Sequence, residues 1–129
     1  MDLLKKIILL SAGDPASISS EITIKAINNL MVKPYVKPVV ITNKMLVEEC
    51  IKTLGSKVQI NEVNDTKEFS DFRINFLNII PIDLKHKVTL GTPDPKNSSF
   101  VKQSIVKCVN ILNNSKASAM VTNPISKNI

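Results

Sequence analysis

Two short segments hold the residue types best suited to gripping a small polar molecule: Gly13-Asp14-Pro15-Ala16 and Val121-Thr122-Asn123-Pro124-Ile125-Ser126-Lys127. A helix opening after Gly13-Asp14-Pro15 would offer a phosphate or carboxylate its free N–H groups and the positive end of its dipole. Asp14, Thr122, Asn123 and Lys127 are the polar side chains these motifs would bring to such a ligand. Each also has a plainer reading. Gly-Asp-Pro is an ordinary turn in which Asp14 is a capping acceptor, an Asn-Pro turn after a strand needs no ligand, and Lys127 fits a solvated side chain. The Gly-x-Gly-x-x-Gly dinucleotide fingerprint is missing, since this loop has one glycine. His86, between Lys85 and Lys87, is the one histidine of the chain. With no carboxylate pattern beside it, it reads as a surface residue, and one imidazole cannot make a metal site.

The elements that must position these motifs alternate between strand-length apolar runs and stretches of helical period, which predicts an α/β fold with a mostly parallel sheet flanked by helices. The first strand is expected over Lys6 to Leu10. An amphipathic helix follows, with Ser17, Ser19 or Ser20 as cap, a stripe of Ile18, Ile22, Ala26, Ile27, Leu30 and Met31, and Pro34 and Pro38 as stops. Val39-Val40-Ile41 is a second strand. Thr42 or Asn43 then caps a helix through Met45, Val47, Cys50, Ile51 and Leu54, with Gly55 just past its end. Val58 to Val63 alternates as a half-buried strand, 65–71 is irregular, and Ile74 to Ile82 is strand-like. After a loop with Pro93 and Pro95, Ser98 or Ser99 opens a helix with the stripe Val101, Ile105, Cys108, Val109 and Leu112. Ala117 to Val121 is a last, short buried strand that delivers Thr122-Asn123-Pro124 at its carboxyl end. In such folds ligands bind at the carboxyl ends of strands, and both motifs fall there. No repeat, low-complexity tract or linker interrupts the pattern, so residues 1–129 read as one unit.

Length and composition remove other classes of function. A chain of 129 residues can bury roughly two-thirds of its unfolded surface. The longest apolar run, Ile7 to Ala12, is strand-sized and far short of the ~20 residues that span a bilayer. Lys5-Lys6 before Ile7-Ile8-Leu9-Leu10 imitates a signal peptide only faintly, because Gly13-Asp14-Pro15 follows as a turn, and a cytoplasmic, membrane-free location is expected. Cys50 and Cys108 lie far apart within helical patterns and read as buried thiols. The net charge of +6 comes from 17 basic residues, of which 16 are scattered lysines, with no Trp to stack bases. Lys, Ile and Asn number 16, 17 and 13, and all three have AT-rich codons, so base composition accounts for the charge and no nucleic-acid partner is expected.

Taken together, the motifs resemble one family. Gly13-Asp14-Pro15-Ala16-Ser17-Ile18-Ser19-Ser20-Glu21 is similar to the Gly-Asp-Pro-Ala-Gly-Ile-Gly-Pro-Glu opening of the 4-hydroxythreonine-4-phosphate dehydrogenase (PdxA) family of vitamin B6 biosynthesis. Val121-Thr122-Asn123-Pro124-Ile125-Ser126-Lys127 is similar to its Val-Thr-Ala-Pro-Ile-Asn-Lys. Order and separation agree across essentially the whole chain, which resembles the N-terminal portion of longer family members. The resemblance implies part of an isocitrate-dehydrogenase-like fold, a homodimer, and NAD-dependent oxidation of a small phosphorylated substrate followed by loss of CO₂. It also implies a divalent metal that polarises the substrate hydroxyl. The family's metal histidines, and the His-Thr pair that touches substrate, would lie past Ile129. Neither NAD nor metal is therefore expected to bind this chain alone, and no catalytic or metal-ligating residue is assigned within it. The expected function is that of a truncated, by itself inactive PdxA-like protein completed by a C-terminal chain, with a non-catalytic interaction module as the alternative. Two family glycines are Ser17 and Ser19 here, which predicts ~1 kcal/mol of strain and a loop less open to a ligand.

Overall fold

The computed structural model of the chain describes residues 6–30, 36–85, 87–89, 91–92 and 94–123. Within them five strands form one parallel sheet: β1 (Lys6–Ser11), β2 (Val36–Thr42), β3 (Ile60–Glu62), β4 (Leu77–Pro81) and β5 (Ala119–Val121), in the order β3-β4-β2-β1-β5. Three helices cover it: α1 (Ser19–Leu30), α2 (Lys44–Leu54) and α3 (Ser98–Asn114). The expected α/β class with a parallel sheet is what the chain adopts. His86, Lys127, Pro34, Pro93 and Met31 lie outside the described residues, as does Pro124.

Strands buried on both faces need apolar side chains at successive positions, and these have them. Leu9, Val39, Ile41 and Ile80 face α3, packing with Phe100, Cys108 and Ile111. Val40, Leu77 and Ile79 face the other way, onto Ile24 and Ile27 of α1 and Val47 of α2. The result is a helix-sheet-helix sandwich with two apolar cores.

Local chemistry sets the boundaries. Asn43 caps α2 as expected, its side-chain oxygen accepting the Leu46 N–H at 3.1 Å. Gly55 ends the helix at φ 66°, a left-handed conformation that glycine adopts without steric cost. Ser104, fully buried in α3, accepts the Ala12 N–H at 2.9 Å and donates to the Ile41 carbonyl at 2.8 Å, fastening α3 across the ends of β1 and β2.

Several expected faces and limits differ from what forms. On α1 the buried face is Ser19, Thr23, Ile24 and Ile27, while Ile22, and Ile18 just before the helix, stand out in solvent, 40% and 62% exposed. Met45 of α2 and Val109 of α3 are exposed as well, at 70% and 40%. The stripes were rotated because hydrophobicity alone gives no weight to a polar residue with a partner. Thr23 and Ser104 turn inward since the fold supplies them with hydrogen bonds. Pro38 does not stop a helix but sits inside β2, at a position where β2 pairs with β1 and not yet with β4, so its missing N–H is tolerated. Paired β3 contracts to Ile60–Glu62, and β4 begins only at Leu77, because Asn75 takes a positive φ of 68° and Ile74 points outward. Strand β5 is shorter and less buried than expected. Among the described residues it pairs with β1 alone, and Val121 is 52% exposed.

The irregular segment 65–71 is ordered by two carboxylates: Asp71 accepts the N–H groups of Asn64 and Asp65, and Asp65 closes the turn that follows. Asp65 accepts the Ser70 hydroxyl and the N–H groups of Lys67 and Glu68. The Ser70 bond, then those backbone bonds, hold its carboxyl below the usual carboxylate range. A lowered folded-state pKa contributes stability that is present above the unfolded value near ~3.9 and is lost as pH falls through the folded one. Melting temperatures followed from pH 5 downward should therefore drop more steeply for the natural chain than for Asp65→Asn, and parallel curves would contradict this.

Candidate functional site

Strands β1 and β5 are neighbours and parallel, so their carboxyl ends place Gly13-Asp14-Pro15 and Thr122-Asn123 side by side. Gly13 makes the turn at φ 72°. Asp14, 3% exposed, accepts the Ala16 N–H through Oδ1 at 2.9 Å, and its carbonyl accepts the Ser17 N–H at 3.1 Å. The Ser17 hydroxyl donates to that same carbonyl at 2.8 Å and accepts the Ser19 N–H at 3.2 Å, so it occupies a donor at the start of α1. Neither serine has a positive φ; among the described residues only Phe69 and Asn75 and three glycines do. The expected strain is therefore absent, and the serines knit the loop together.

Asn123 is the tie between the motifs. Its side-chain N–H₂ donates to the Ser11 carbonyl at 2.7 Å and to the Thr23 hydroxyl at 2.8 Å, and its backbone N–H donates to the Ser11 hydroxyl at 3.2 Å. One side chain thus joins the ends of β5 and β1 to the body of α1. Thr122 is exposed at the same edge, and Lys127 lies outside the described residues. Of the four residues marked from sequence, the structure brings Asp14, Thr122 and Asn123 to one edge and uses polar atoms of Asp14 and Asn123 to build it. Ser11 and Thr23 escaped sequence reasoning because each sits in an element where a lone hydroxyl carries no pattern.

The two thiols differ in setting. Cys108 is fully buried, and burial pushes its thiol up to about 11. Cys50 is half-buried on α2, raised by burial and then by the charge of Glu21. Among the described residues no three His, Cys, Asp or Glu side chains converge as a metal site would need, so the donors present do not fit the metal implied by the resemblance. No step is assigned to a metal on this chain.

A hollow opens at the same edge. It holds about 650 Å³ between the start of α1, the length of α2 and the connection from β4 to α3, with Ile18, Met45, Leu46, Cys50, Leu84 and Val88 among its lining.

Comparison with known proteins gives these features a family. Residues 34–129 match the family described as pyridoxal phosphate biosynthetic protein PdxA. A protein of Halalkalibacterium halodurans described as a candidate D-threonate 4-phosphate dehydrogenase is 29% identical over 125 residues, which cover 95% of this chain and 37% of the relative. The 4-hydroxythreonine-4-phosphate dehydrogenase of Methylorubrum populi is 33% identical over 121 residues, 92% of this chain and 34% of its own length. The crystal structure of a 4-hydroxythreonine-4-phosphate dehydrogenase from Burkholderia phymatum superimposes with a TM-score of 0.84 at 21% identity, covering 95% of this chain and 37% of that one. The chain thus spans about a third of the length of the relatives it matches. With two motifs joined at the carboxyl edge of a parallel sheet, and a family match over three-quarters of its residues, the chain belongs to the PdxA family and corresponds to its N-terminal portion.

Proposed function

We propose that this chain supplies one wall of a PdxA-type dehydrogenase site, presenting the β1–α1 and β5 loops to a small phosphorylated hydroxy acid. The observation that carries the reading is the Asn123 tie, which fixes the two family motifs to one another at the sheet's carboxyl edge. In this reading Asp14 and Asn123 shape the wall. Thr122 and Lys127 reach the substrate, Thr122 by its hydroxyl and Lys127 as the cation for a phosphate. In a complete site NAD would supply the hydride acceptor and the family's metal a Lewis acid. The groups that would hold both come from the remaining two-thirds of a PdxA-type protein. The names of the relatives point to two substrates, D-threonate 4-phosphate and 4-hydroxythreonine 4-phosphate, which share a 4-phosphate on a short hydroxylated acid. A cytoplasmic location goes with this reading, and no described helix is long and apolar enough to cross a membrane.

The test is complementation. The purified chain alone should give no NAD reduction with either substrate. Co-produced with the remaining two-thirds of a longer relative, it should give turnover well above that of the remainder alone. A complex that forms but stays inactive with both substrates would favour the non-catalytic interaction module.

A further inference from the structure

Helix α1 carries more apolar surface than its own fold uses. Its core face is Ser19, Thr23, Ile24 and Ile27, yet Ile22 and, in the turn just before the helix, Ile18, whose carbonyl accepts the Ile22 N–H at 2.9 Å, are left in solvent. Met45 at the start of α2, 70% exposed, continues this surface, and Ile18 and Met45 both line the 650 Å³ groove. Helices apolar on two faces are buried on both. A groove of this size would be a costly thing to leave bare.

We infer that this groove is the docking seat for the remaining portion of the PdxA-type protein. The inference rests on the functional reading above and specifies where the partner lands. Two observations select that occupant. About two-thirds of each relative's length has no counterpart in this chain, so a large polypeptide surface is available to fill the groove. The groove opens at the carboxyl edge, with Pro15, Ala16 and Ser17 in its wall, so a segment seated there adjoins the loop that the partner must complete. The rest of its lining includes α2 and Leu84 and Val88 after β4; Leu84, Cys50 and Leu54 also pack against the two apolar cores, so the groove floor is continuous with them. The segment that fits is apolar on one side, seating beside Leu46 and Cys50.

The experiment uses the full chain co-produced with the remaining two-thirds of a longer relative. Ile18→Asp and Met45→Lys, both at exposed positions that leave the cores intact, should each weaken the complex at least tenfold by affinity measurement. Val106→Lys and Val109→Lys, on the exposed face of α3, should leave it unchanged. Cys50 offers a native reporter: its alkylation should slow at least fivefold on complex formation, while Cys108 stays silent in both states. A complex that forms with unchanged Cys50 labelling and tolerates both groove substitutions overturns the docking site and leaves the functional reading standing. Failure of the natural chain to bind the remainder at all overturns both. Loss of self-association in Ile18→Asp, with the remainder still bound at natural affinity, would assign the groove to a second copy of this chain and also refute the inference.

Discussion

Asn78→Ala should destabilise the chain by about 3–4 kcal/mol, lowering its melting temperature by on the order of 10 °C. The side chain is 1% exposed in β4, which lies between the edge strand β3 and β2. Its oxygen accepts the Asn61 side-chain N–H₂ at 2.8 Å and the Arg73 N–H at 2.9 Å. Its nitrogen donates to the carbonyls of Arg73 at 2.9 Å and Phe76 at 3.0 Å. Alanine removes all four bonds and leaves several partners without a substitute, and a buried group so orphaned costs about 1–3 kcal/mol. The effect should be legible in thermal or urea unfolding. A loss below about 1 kcal/mol would mean that water reaches these groups readily and that the network is incidental.

Asn123→Ala should act on function more than on the fold. It removes the side-chain bonds to Ser11 and Thr23 but none within either apolar core. The expected stability loss is about 2 kcal/mol, since two hydrogen-bonded groups lose their partner. In the complex with the remaining two-thirds of a relative, NAD reduction should fall roughly 100-fold, the order of change that an ångström's displacement of a positioning group brings. KM for the phosphorylated substrate should rise as well, because the segment that bears Thr122 would keep its backbone bond to Ser11 but lose its side-chain tie to α1 and to the Ser11 carbonyl. Asn123→Ala with natural activity and lowered stability would mean that the tie serves only the fold.

Much of the fold was legible because its signals are local and strong. Alternating runs gave the class, Asn43 and Gly55 marked the ends of α2, and the two motifs were correctly set at strand ends. Side-chain facing was less legible. Thr23 and Ser104 are buried by virtue of partners far away in sequence, at Asn123 for the first and at Ala12 and Ile41 for the second, and no periodicity announces such pairs. The outward Ile18, Ile22 and Met45 mislead for the converse reason. Their hydrophobicity predicts core, whereas the structure leaves all three to solvent, Ile18 and Met45 at the groove. Asp14 is the case where the plainer reading of a motif describes what forms: its carboxylate closes the turn before α1. Replacement of family glycines by Ser17 and Ser19 predicts strain, yet neither has a positive φ, and the Ser17 hydroxyl bonds the Asp14 carbonyl and the Ser19 N–H, so the loop holds serines without it.

The most direct measurement of the central claim is a chimera in which residues 1–129 of this chain replace the corresponding first third of a longer relative. NAD reduction would be followed with D-threonate 4-phosphate and with 4-hydroxythreonine 4-phosphate. If this chain supplies one wall of a PdxA-type site, the folded chimera should turn over at least one of the two within about tenfold of the parent's kcat/KM. A chimera that folds and assembles like its parent yet reduces no NAD with either substrate would contradict the account.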